Sequence, residues 1–358
     1  MPVDLIRERL ANQFLTGPAL RGPVDVVRAL GAVQAQDFNG GKWAVGMRTR
    51  SATDSNVERA VASGAILRTH VLRPTWHFVL PEDIRWMLAL TGPRISATMG
   101  IYNPKLGLTK AVFRRSHATI EKALSAGGHL TRQELASELR RARIDTSEFR
   151  LARLVMQAEV DGLICSGPRR GKQFTYALLD TRAPSAPAIE RDEALSRLGR
   201  IYFATRGPAS AHDFAWWSGL LVSDAKRAIE ILGQALTSVQ IGERTLWTIG
   251  RSKPAEPVDG TAHLLPNYDE YFIGHRDRSA IGRRLKGVEL VTGGDASVTH
   301  VVLVGGELVG QWKRVVRGGR TKADVSLSGR VSAAERASIA RATERFEAFS
   351  ADEKSAIA

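Results

Sequence analysis

The sequence predicts an α+β protein made of small helix-and-hairpin units and ending in a β-rich domain. The first observation is that residues 112–250 read as groups of helices, each group followed by two short strands. Three helices and a hairpin make a winged helix, so we expect tandem winged-helix domains. The second observation is that short alternating strands and glycine-rich turns follow residue 260. They predict a small C-terminal β-rich domain, barrel-like in form.

Length and charge narrow the class of protein. A chain of 358 residues is too long for one compact core and should divide into roughly two to four units. Its 51 Lys and Arg against 37 Asp and Glu give a net charge of +14, and the sequence pI is about 10.4. This excess favours a polyanionic partner, and nucleic acid is the first candidate. A basic proteome or plain solubility would give the same balance, so charge alone does not decide.

Cysteine and histidine usage argues against disulfides and metal sites. Cys165 is the only cysteine, which excludes an intrachain disulfide and a cysteine zinc cluster and fits a reducing cytoplasm. The eight histidines have neither His-x-x-x-His nor His-Glu-x-x-His spacing. Four charged side chains lie in the first ten residues, where a signal peptide needs an apolar core, and no apolar run approaches membrane-spanning length. We therefore expect a cytoplasmic monomer without metal or cofactor.

The second unit, residues 111–182, has the clearest pattern. Helices are predicted from Ser116 to Ser125, from Thr131, where Glu134 completes a capping box, and from Glu148 to Asp161. Strands at 162–166 and 174–178 then flank a basic tip, the wing of the predicted winged helix. Such tips usually contact phosphates. The cations that we expect to bind DNA there are Arg169, Arg170 and Lys172.

The same outline recurs on both sides of this unit. Residues 188–251 contain predicted helices at 192–205, 211–218 and 223–232 and strands at 236–241 and 245–249. Residues 1–110 give helices at 3–15, 23–31 and 56–63 and a strand from Val71 to Leu80. Proline-containing linkers at 183–187 and 252–260 separate the units, and residues 258–358 form the β-rich domain with a closing helix at 332–349.

A polar segment interrupts an apolar run near the start of the chain. Gln34-Ala35-Gln36-Asp37 follows a run that should have stayed apolar if it only faced the core. Burying such groups without partners costs roughly 1–3 kcal/mol each, so either a local network satisfies them or they act in a wet cavity. Positions 34 and 36 share a face only in an extended segment. We therefore predict that the preceding helix ends near Gly31.

A second polar row follows in the block from Arg68 to Val79. On a strand, Arg73, Thr75 and His77 would share one face and present a cation, a hydroxyl and an imidazole. That row suits a phosphate and a base. A half-buried strand with a solvated polar face would look the same.

Five segments, taken in order, match one known pattern. They are Ala32 to Gln36, His70 to Val79, Gly207 to Gly219 (GPASAHDFAWWSG), Leu264 to Ser279 (LLPNYDEYFIGHRDRS) and Val302 to Arg314 (VLVGGELVGQWKR). Together they resemble the AlkZ/YcaQ family of winged-helix DNA glycosylases over nearly the whole chain. The resemblance implies tandem winged-helix modules and a C-terminal β-rich domain wrapped around duplex DNA.

The resemblance also implies a catalytic motif, Gln-aliphatic-Gln or Gln-aliphatic-Asp. Matched residue by residue, Gln34 and Gln36 take its polar positions and Ala35 its aliphatic one, as in the AlkZ-like subgroup, which acts on bulky N7-alkylguanine adducts. Asp37 comes one residue too late to be the carboxylate of the other subgroup, although a shifted backbone would let it serve. The motif has no nucleophilic lysine, which implies monofunctional hydrolysis. Lys42 is the nearest alternative.

Two further regions are implied to reach the substrate. Tyr268 and Asp269 would wall the pocket, unless their loop only ties the β-rich domain to the first unit. A hairpin from Trp312 to Arg320 resembles the family's minor-groove wedge, with Val315 and Val316 against the duplex. A solvated basic hairpin is the alternative. Its expected phosphate-binding cations are Lys313, Arg314, Arg317 and Arg320.

The sequence thus predicts a monofunctional DNA glycosylase for bulky N7-alkylpurines, crosslinked ones included, in duplex DNA. Self-resistance to a genotoxic metabolite is one setting for such an enzyme. The alternative is a winged-helix DNA-binding protein without catalysis, a regulator or an architectural factor. Both bind duplex DNA in a salt-dependent way, so only base release separates them.

Overall fold

One arrangement of helices and strands occurs three times in the computed structural model, which describes residues 4–250, 260–282, 284, 300–328 and 330–354. Each unit has three helices followed by a two-stranded hairpin, and the first two units also have a strand after their first helix. In the first two units the first strand pairs with the last strand of the hairpin, and in the third a single bridge, Ala209 to Trp247, takes its place. The protein is therefore a mixed helix-and-sheet fold with an internal structural repeat.

The first unit follows the N-terminal helix α1 (Leu5–Asn12). Its elements are α2 (Pro23–Leu30), β1 (Val33–Gln34), α3 (Phe38–Gly46), α4 (Asp54–Ser63), β2 (Leu67–His70) and β3 (Trp76–Val79), and the long helix α5 (Pro81–Gly100) follows. The repeat uses α2, α3 and α4, so the sequence missed its second helix and counted α1 in its place. The single strand predicted from Val71 to Leu80 is wrong, because the chain turns at 71–75 between two antiparallel strands.

The second unit agrees closely with its prediction. It consists of α6 (Lys110–Gly127), β4 (His129–Thr131), α7 (Arg132–Arg141), α8 (Arg150–Val160), β5 (Ile164–Ser166) and β6 (Thr175–Leu178), followed by the short α9 (Leu179–Arg182). The predicted capping box is present: the Thr131 hydroxyl accepts from the Glu134 amide at 3.2 Å, and the Glu134 carboxylate accepts from the Thr131 amide at 2.7 Å.

The third unit also follows its predicted outline. Its elements are α10 (Arg191–Thr205), α11 (Ala211–Ser218), α12 (Val222–Leu232), β7 (Thr237–Ile241) and β8 (Arg244–Thr248), with a 3-10 turn at Gly233–Ala235. Its helices α10 and α11 carry a stack of aromatic rings around Tyr202, Phe214 and Trp217. Residues 252–259 of the predicted linker lie outside the described part of the chain.

The C-terminal region is an antiparallel sheet with a helix across it. It contains β9 (Ala262–Leu265), α13 (Glu270–Ile273), β10 (Val301–Val304), β11 (Glu307–Arg317), β12 (Arg320–Leu327) and α14 (Ala333–Phe349), then a 3-10 turn at Ser350–Lys354. The strand order is β12-β11-β10-β9, with β9 and β12 at the edges. The described strands thus form an open sheet, and the barrel-like closure expected from the sequence is not confirmed.

The C-terminal sheet and the first unit share one hydrophobic core. A single cluster of buried side chains runs from α1, α2 and α3 into β9, β10 and α14. Trp43 of α3 joins the two parts, since its indole N–H donates to the carbonyl of Leu264 at 2.7 Å and its ring packs against Phe346 and Phe349. Helix α3 of the first unit is therefore held against β9 and α14.

Candidate active site

The segment Gln34-Ala35-Gln36 joins a short strand to a helix. Helix α2 ends at Gly31, whose φ of 75° suits glycine, so the predicted helix end is confirmed. Val33 and Gln34 then pair with Phe78 and His77 of β3, and the Ala35 amide donates to the carbonyl of Trp76 at 2.8 Å. Gln34 thus ends a short strand, and Gln36 lies in the bend that joins this strand to α3.

Glycine lets α3 pack closely on this segment. A Cβ added to Gly41 would lie 3.1 Å from the Ala35 Cα, from the Gln34 carbonyl oxygen and from the Phe78 ring. Such distances are tighter than ordinary van der Waals contact, and two of the three neighbours are backbone atoms. The glycine pair therefore fixes the distance between α3 and the glutamine segment.

Gln34 is buried beside the ion pair of Glu270 and Arg206. Its backbone N–H donates to Glu270 Oε1 at 2.9 Å, and the other oxygen of Glu270 accepts from Arg206 at 2.6 Å and from the Trp217 indole at 2.8 Å. The side-chain oxygen of Gln34 is buried and has no hydrogen-bond partner in the described part of the chain. The segment is thus anchored through its backbone, and this carboxamide oxygen keeps its capacity to accept a hydrogen bond.

Gln36 is exposed, unlike Gln34. Its Oε1 accepts from the Trp76 amide at 3.4 Å, a long bond that leaves one lone pair for another donor. Asp37 is half-buried at the start of α3 but does not cap the helix with its side chain. Its Oδ2 instead lies near Gly40, as does the Oδ1 of Asn267. Asp37 is therefore adjacent to the glutamines but turned toward the C-terminal region.

The predicted row of Arg73, Thr75 and His77 is not a strand face. Arg73 and Thr75 lie in the turn between β2 and β3, and only His77 lies on a strand, opposite Gln34. The sequence placed them on one strand because it did not detect the turn at 71–75. Even so, each has a buried polar atom without a partner among the described residues: Arg73 Nε and Nη2, Thr75 Oγ1 and His77 Nε2.

Burial also sets the charge of this cluster. Desolvation lowers the pKa of His77 well below 6.5, and the neighbouring Arg73 lowers it further. Burial lowers the pKa of Arg73 too, while Glu270 opposes that shift. The imidazole is therefore neutral at pH 7. Because its Nδ1 lies 2.9 Å from the Thr75 carbonyl and must donate to it, its Nε2 is an acceptor.

Asp269 and Tyr268 occupy a structural position. The Asp269 carboxylate is fully buried and takes two hydrogen bonds from Arg48, at 2.8 and 2.9 Å, and a third from the Tyr271 amide. Tyr268 has a φ of 61° and packs against the shared hydrophobic core. This geometry matches the alternative in which their loop ties the β-rich domain to the first unit.

Lys42 is engaged elsewhere. It is buried on α3, and its Nζ lies 2.7 Å from an Asp54 oxygen and 3.0 Å from a Glu58 oxygen. These contacts direct the amine toward α4. A nucleophilic lysine at the motif is therefore not supported by the position of Lys42.

The predicted cations of the second unit's tip divide into two kinds. Arg169 is turned inward, 3.1 Å from a Glu58 oxygen and against the rings of Phe38 and Phe174, so its guanidinium is already engaged within the chain. Arg170 is half-exposed but paired with Glu134 at 2.7 Å. Lys172 is exposed. The sequence could not detect that this tip packs on the first unit.

The hairpin of β11 and β12 has its predicted form. Gly318 and Gly319, both with positive φ, make the turn between Arg317 and Arg320. Val316 is 70% exposed, while Val315 is half-buried. The four predicted cations lie along these strands, with Arg317 3.5 Å from Asp324, and Lys313, Arg317 and Arg320 are exposed.

The sequence did not show which residues hold the motif; they are Glu270, Arg206 and Arg68. Arg68 donates from Nε to the carbonyl of Ala35 at 3.0 Å. One signal was available for Glu270, a carboxylate directly before the apolar run Tyr271-Phe272-Ile273.

Within the described residues, no group of three or more His, Cys, Asp or Glu could hold a metal ion, and no helix is long and apolar enough to cross a membrane.

The repeated units, the basic hairpin and the anchored glutamine pair define a DNA-processing enzyme, and comparison gives its class as a DNA glycosylase. Residues 27–349 match the family model described as DNA glycosylase AlkZ-like, so the chain belongs to that family. It is 26% identical over 322 residues to the interstrand DNA cross-link repair glycosylase of Streptomyces sahachiroi, covering 86% of each chain. The fold is that of the Streptomyces sahachiroi DNA glycosylase AlkZ, with a TM-score of 0.79 at 22% identity over 98% of this chain and 97% of the other.

Proposed function

We propose that this enzyme hydrolyses the N-glycosidic bond of bulky N7-alkylpurines in duplex DNA, including purines joined in interstrand crosslinks. The observation that carries the proposal is the segment Gln34-Ala35-Gln36 between β1 and α3, in which Gln36 is exposed and the side-chain oxygen of Gln34 has no partner among the described residues. The crosslink activity in the name of the Streptomyces relative supports the same substrate class.

The chemistry requires only a mild catalyst. An N7-alkylated purine is already cationic, so it leaves the sugar without being protonated. Water attacks the anomeric carbon, the bond to the base breaks, and the electron pair of that bond neutralises the departing ring. Gln34 and Gln36 accept hydrogen bonds from the water through their carboxamide oxygens and orient it. Its proton passes to solvent, and an abasic site remains.

The surroundings of the motif suit this reaction. His77 is neutral at pH 7, so it adds no positive charge next to the developing sugar cation. Lys42 is held by two carboxylates, which favours hydrolysis over a covalent lysine intermediate. Arg73, Thr75 and His77 contribute buried polar atoms near Gln34, and we assign them to the wall of the site.

For DNA binding we propose that the three repeated units are winged-helix modules and that the enzyme acts as a cytoplasmic monomer. Helix α8 of the second module packs against the first unit, where Glu159 lies 2.5 Å from His70. This module therefore contacts DNA through Lys172 rather than through α8. The hairpin supplies Lys313, Arg314, Arg317 and Arg320 to phosphates, with Val316 at the duplex.

Base release tests the proposal. Duplexes with N7-methylguanine or with a bulkier N7 adduct are incubated with the enzyme, and abasic sites are cleaved with alkali. We expect Gln36→Ala and Gln34→Ala to slow release by roughly 10²-fold or more, the typical value of a positioned base. Gln240→Ala, a change of an exposed glutamine on β7, is the control. A wild-type enzyme that releases neither base, or a Gln36→Ala variant as fast as wild type, would contradict the proposal.

A further inference from the structure

A cavity of about 460 Å³ opens beside Gln36, between the first and second units. Its volume lies in the range of small-molecule sites, roughly 300–1,000 Å³. The first unit contributes Gln36, Arg68 and Trp76, and the second contributes Arg132, Lys172 and Phe174. The reaction proposed above uses Gln36 alone among these side chains.

Arg68 connects the cavity to the catalytic segment. Its guanidinium lies 4.4 Å from the centre of the Trp76 ring and 4.7 Å from that of Phe174, and its Nε donates to the Ala35 carbonyl. Burial lowers its pKa to about 10, so it remains charged at pH 7. A group bound against these rings would therefore be held at a fixed place relative to the glutamines.

The charge of the cavity lining disfavours a cationic ring. Arg68, Arg132 and Lys172 are among the described lining residues, which include no Asp or Glu, and the neighbouring Glu159 carboxylate is taken up by the Trp76 indole N–H at 3.2 Å. An N7-alkylpurine is itself cationic and would be repelled. The cavity instead suits a neutral, electron-rich aromatic group, which stacks on rings and also attracts nearby cations through its π face.

Apolar walls favour an aromatic group over a phosphate. Trp76 and Phe174 are half-buried, and Leu151 and the buried Tyr176 also line the cavity. A phosphate would leave these surfaces without a partner, whereas a planar substituent would cover them. The cavity also adjoins the glutamine motif directly, because Gln36 belongs to the motif and lines the cavity.

We propose that this cavity is an adduct subsite, which binds the aromatic part of a bulky N7 substituent while the damaged purine lies at Gln34 and Gln36. This inference rests on the proposed function. It assigns Phe174, Trp76 and Arg68 as residues that determine selectivity for aromatic adducts over small alkyl groups.

The test compares two glutamine-to-tryptophan variants. Gln133→Trp places a large ring at the cavity rim, and Gln240→Trp makes the same change at an exposed position of the third unit. Each is assayed on duplexes carrying N7-methylguanine or an N7-(naphthylmethyl)guanine. We expect Gln133→Trp to lower the naphthylmethyl-to-methyl ratio of kcat/KM at least tenfold and Gln240→Trp to keep the wild-type ratio. An unchanged ratio in Gln133→Trp overturns the proposal.

A second arm does not require turnover. The Kd of each protein is measured by fluorescence anisotropy for the two adduct duplexes and for a third duplex whose N7 substituent is saturated and equal in size to naphthylmethyl. The variant Phe174→Leu, which keeps an apolar side chain without the ring, is added. We expect Gln133→Trp and Phe174→Leu to lose the preference for the naphthylmethyl duplex over a duplex with a saturated substituent of equal size. Equal binding of all duplexes by wild type overturns the subsite, whereas absent base release with this preference intact overturns only the proposed function.

Discussion

Burial and pairing decide which polar side chains near the motif can react. Lys42 lies six residues beyond Gln36 yet is nearly inaccessible, with an exposed fraction of 1%, and is fixed between Asp54 and Glu58. Gln34 is also buried, but its side-chain oxygen has no partner among the residues that the structure describes. The lysine amine is thus paired with two carboxylates, whereas the carboxamide oxygen is unpaired within that part of the chain.

Replacing Lys42 should therefore affect stability more than chemistry. Lys42→Met leaves two buried carboxylates without their lysine, and since Arg169 still pairs with Glu58, we expect a loss of about 3 kcal/mol in the free energy of unfolding. Urea denaturation measures it, with the exposed Lys226→Met as the control. A covalent complex of wild type with DNA that borohydride traps, and that Lys42→Met abolishes, would contradict this assignment.

The glutamines were predictable from the sequence, and their supports were not. Gln34 and Gln36 interrupt an apolar run, which is a local signal that any reader of the sequence can find. Glu270 accepts from the Gln34 amide, and Arg206 donates to Glu270 and to the Leu30 carbonyl, each from a segment more than 170 residues away. Spacing along the chain carries no information about which distant segment packs over a given strand.

At the level of elements, α3 packs closely on β1 at Gly41. Helix α3 was missed because its sequence, Phe38 to Gly46, contains three glycines, which weaken a helix by up to about 1 kcal/mol each relative to alanine. Here glycine is required by the close approach at Gly41. The glycines of α3 thus weaken its helical pattern in the sequence, and one of them, Gly41, allows the close contact with the motif.

Alanine at Gly41 should displace the catalytic segment. Its Cβ would press on the backbone of Gln34 and Ala35, so we expect a loss of about 1–3 kcal/mol in stability and a larger fall in base release than unfolding explains. Gly100→Ala at the end of α5 is the matched control, because the nearest atom to its Cβ is 4.0 Å away. Equal effects of the two substitutions on base release would show that contact with the segment is not the cause.

In the tip between β5 and β6, Lys172 should contribute to DNA binding and Arg169 to stability. Lys172→Ala should lower the slope of log K against log salt concentration by about 1 in duplex binding, because it removes one phosphate contact. Arg169→Ala should leave that slope unchanged and cost about 1–3 kcal/mol in stability, because it loses Glu58 and two aromatic rings. Salt titrations of DNA binding and urea denaturation of both variants measure this. A lower salt slope in Arg169→Ala together with an unchanged slope in Lys172→Ala would contradict this assignment.

At the scale of the whole molecule, the units are not independent. The repeat was predictable because each unit has its own local pattern of helices and hairpin. The core that the first unit shares with the C-terminal sheet was not predictable, because residues such as Trp43 and Leu264 that meet there lie far apart in the sequence. Several polar side chains are buried where the units meet. Histidine is the residue type among them whose ordinary pKa is close to neutral pH.

Buried histidines should make the fold sensitive to mild acid. Burial lowers the pKa of His263 to about 4 and that of His275 to about 3, against about 6.5 when unfolded. Below pH 6.5 the unfolded chain therefore binds more protons than the native one, and stability falls as pH decreases, by at most about 1.4 kcal/mol per pH unit for each histidine. This contribution is fully present above pH 6.5 and is lost progressively toward the native pKa values.

His263→Gln tests this linkage. Its Nε2 lies 2.7 Å from the carbonyl of Leu15, to which a glutamine amide can also donate, so the variant retains a donor but cannot titrate. Between pH 7 and pH 5 we expect it to lose roughly 2 kcal/mol less stability than wild type in urea denaturation. His212→Gln, a change at an exposed histidine, should follow the wild-type pH dependence. Identical curves for all three proteins would mean that His263 is protonated in the native state, because only a native proton would cancel the difference from the unfolded chain.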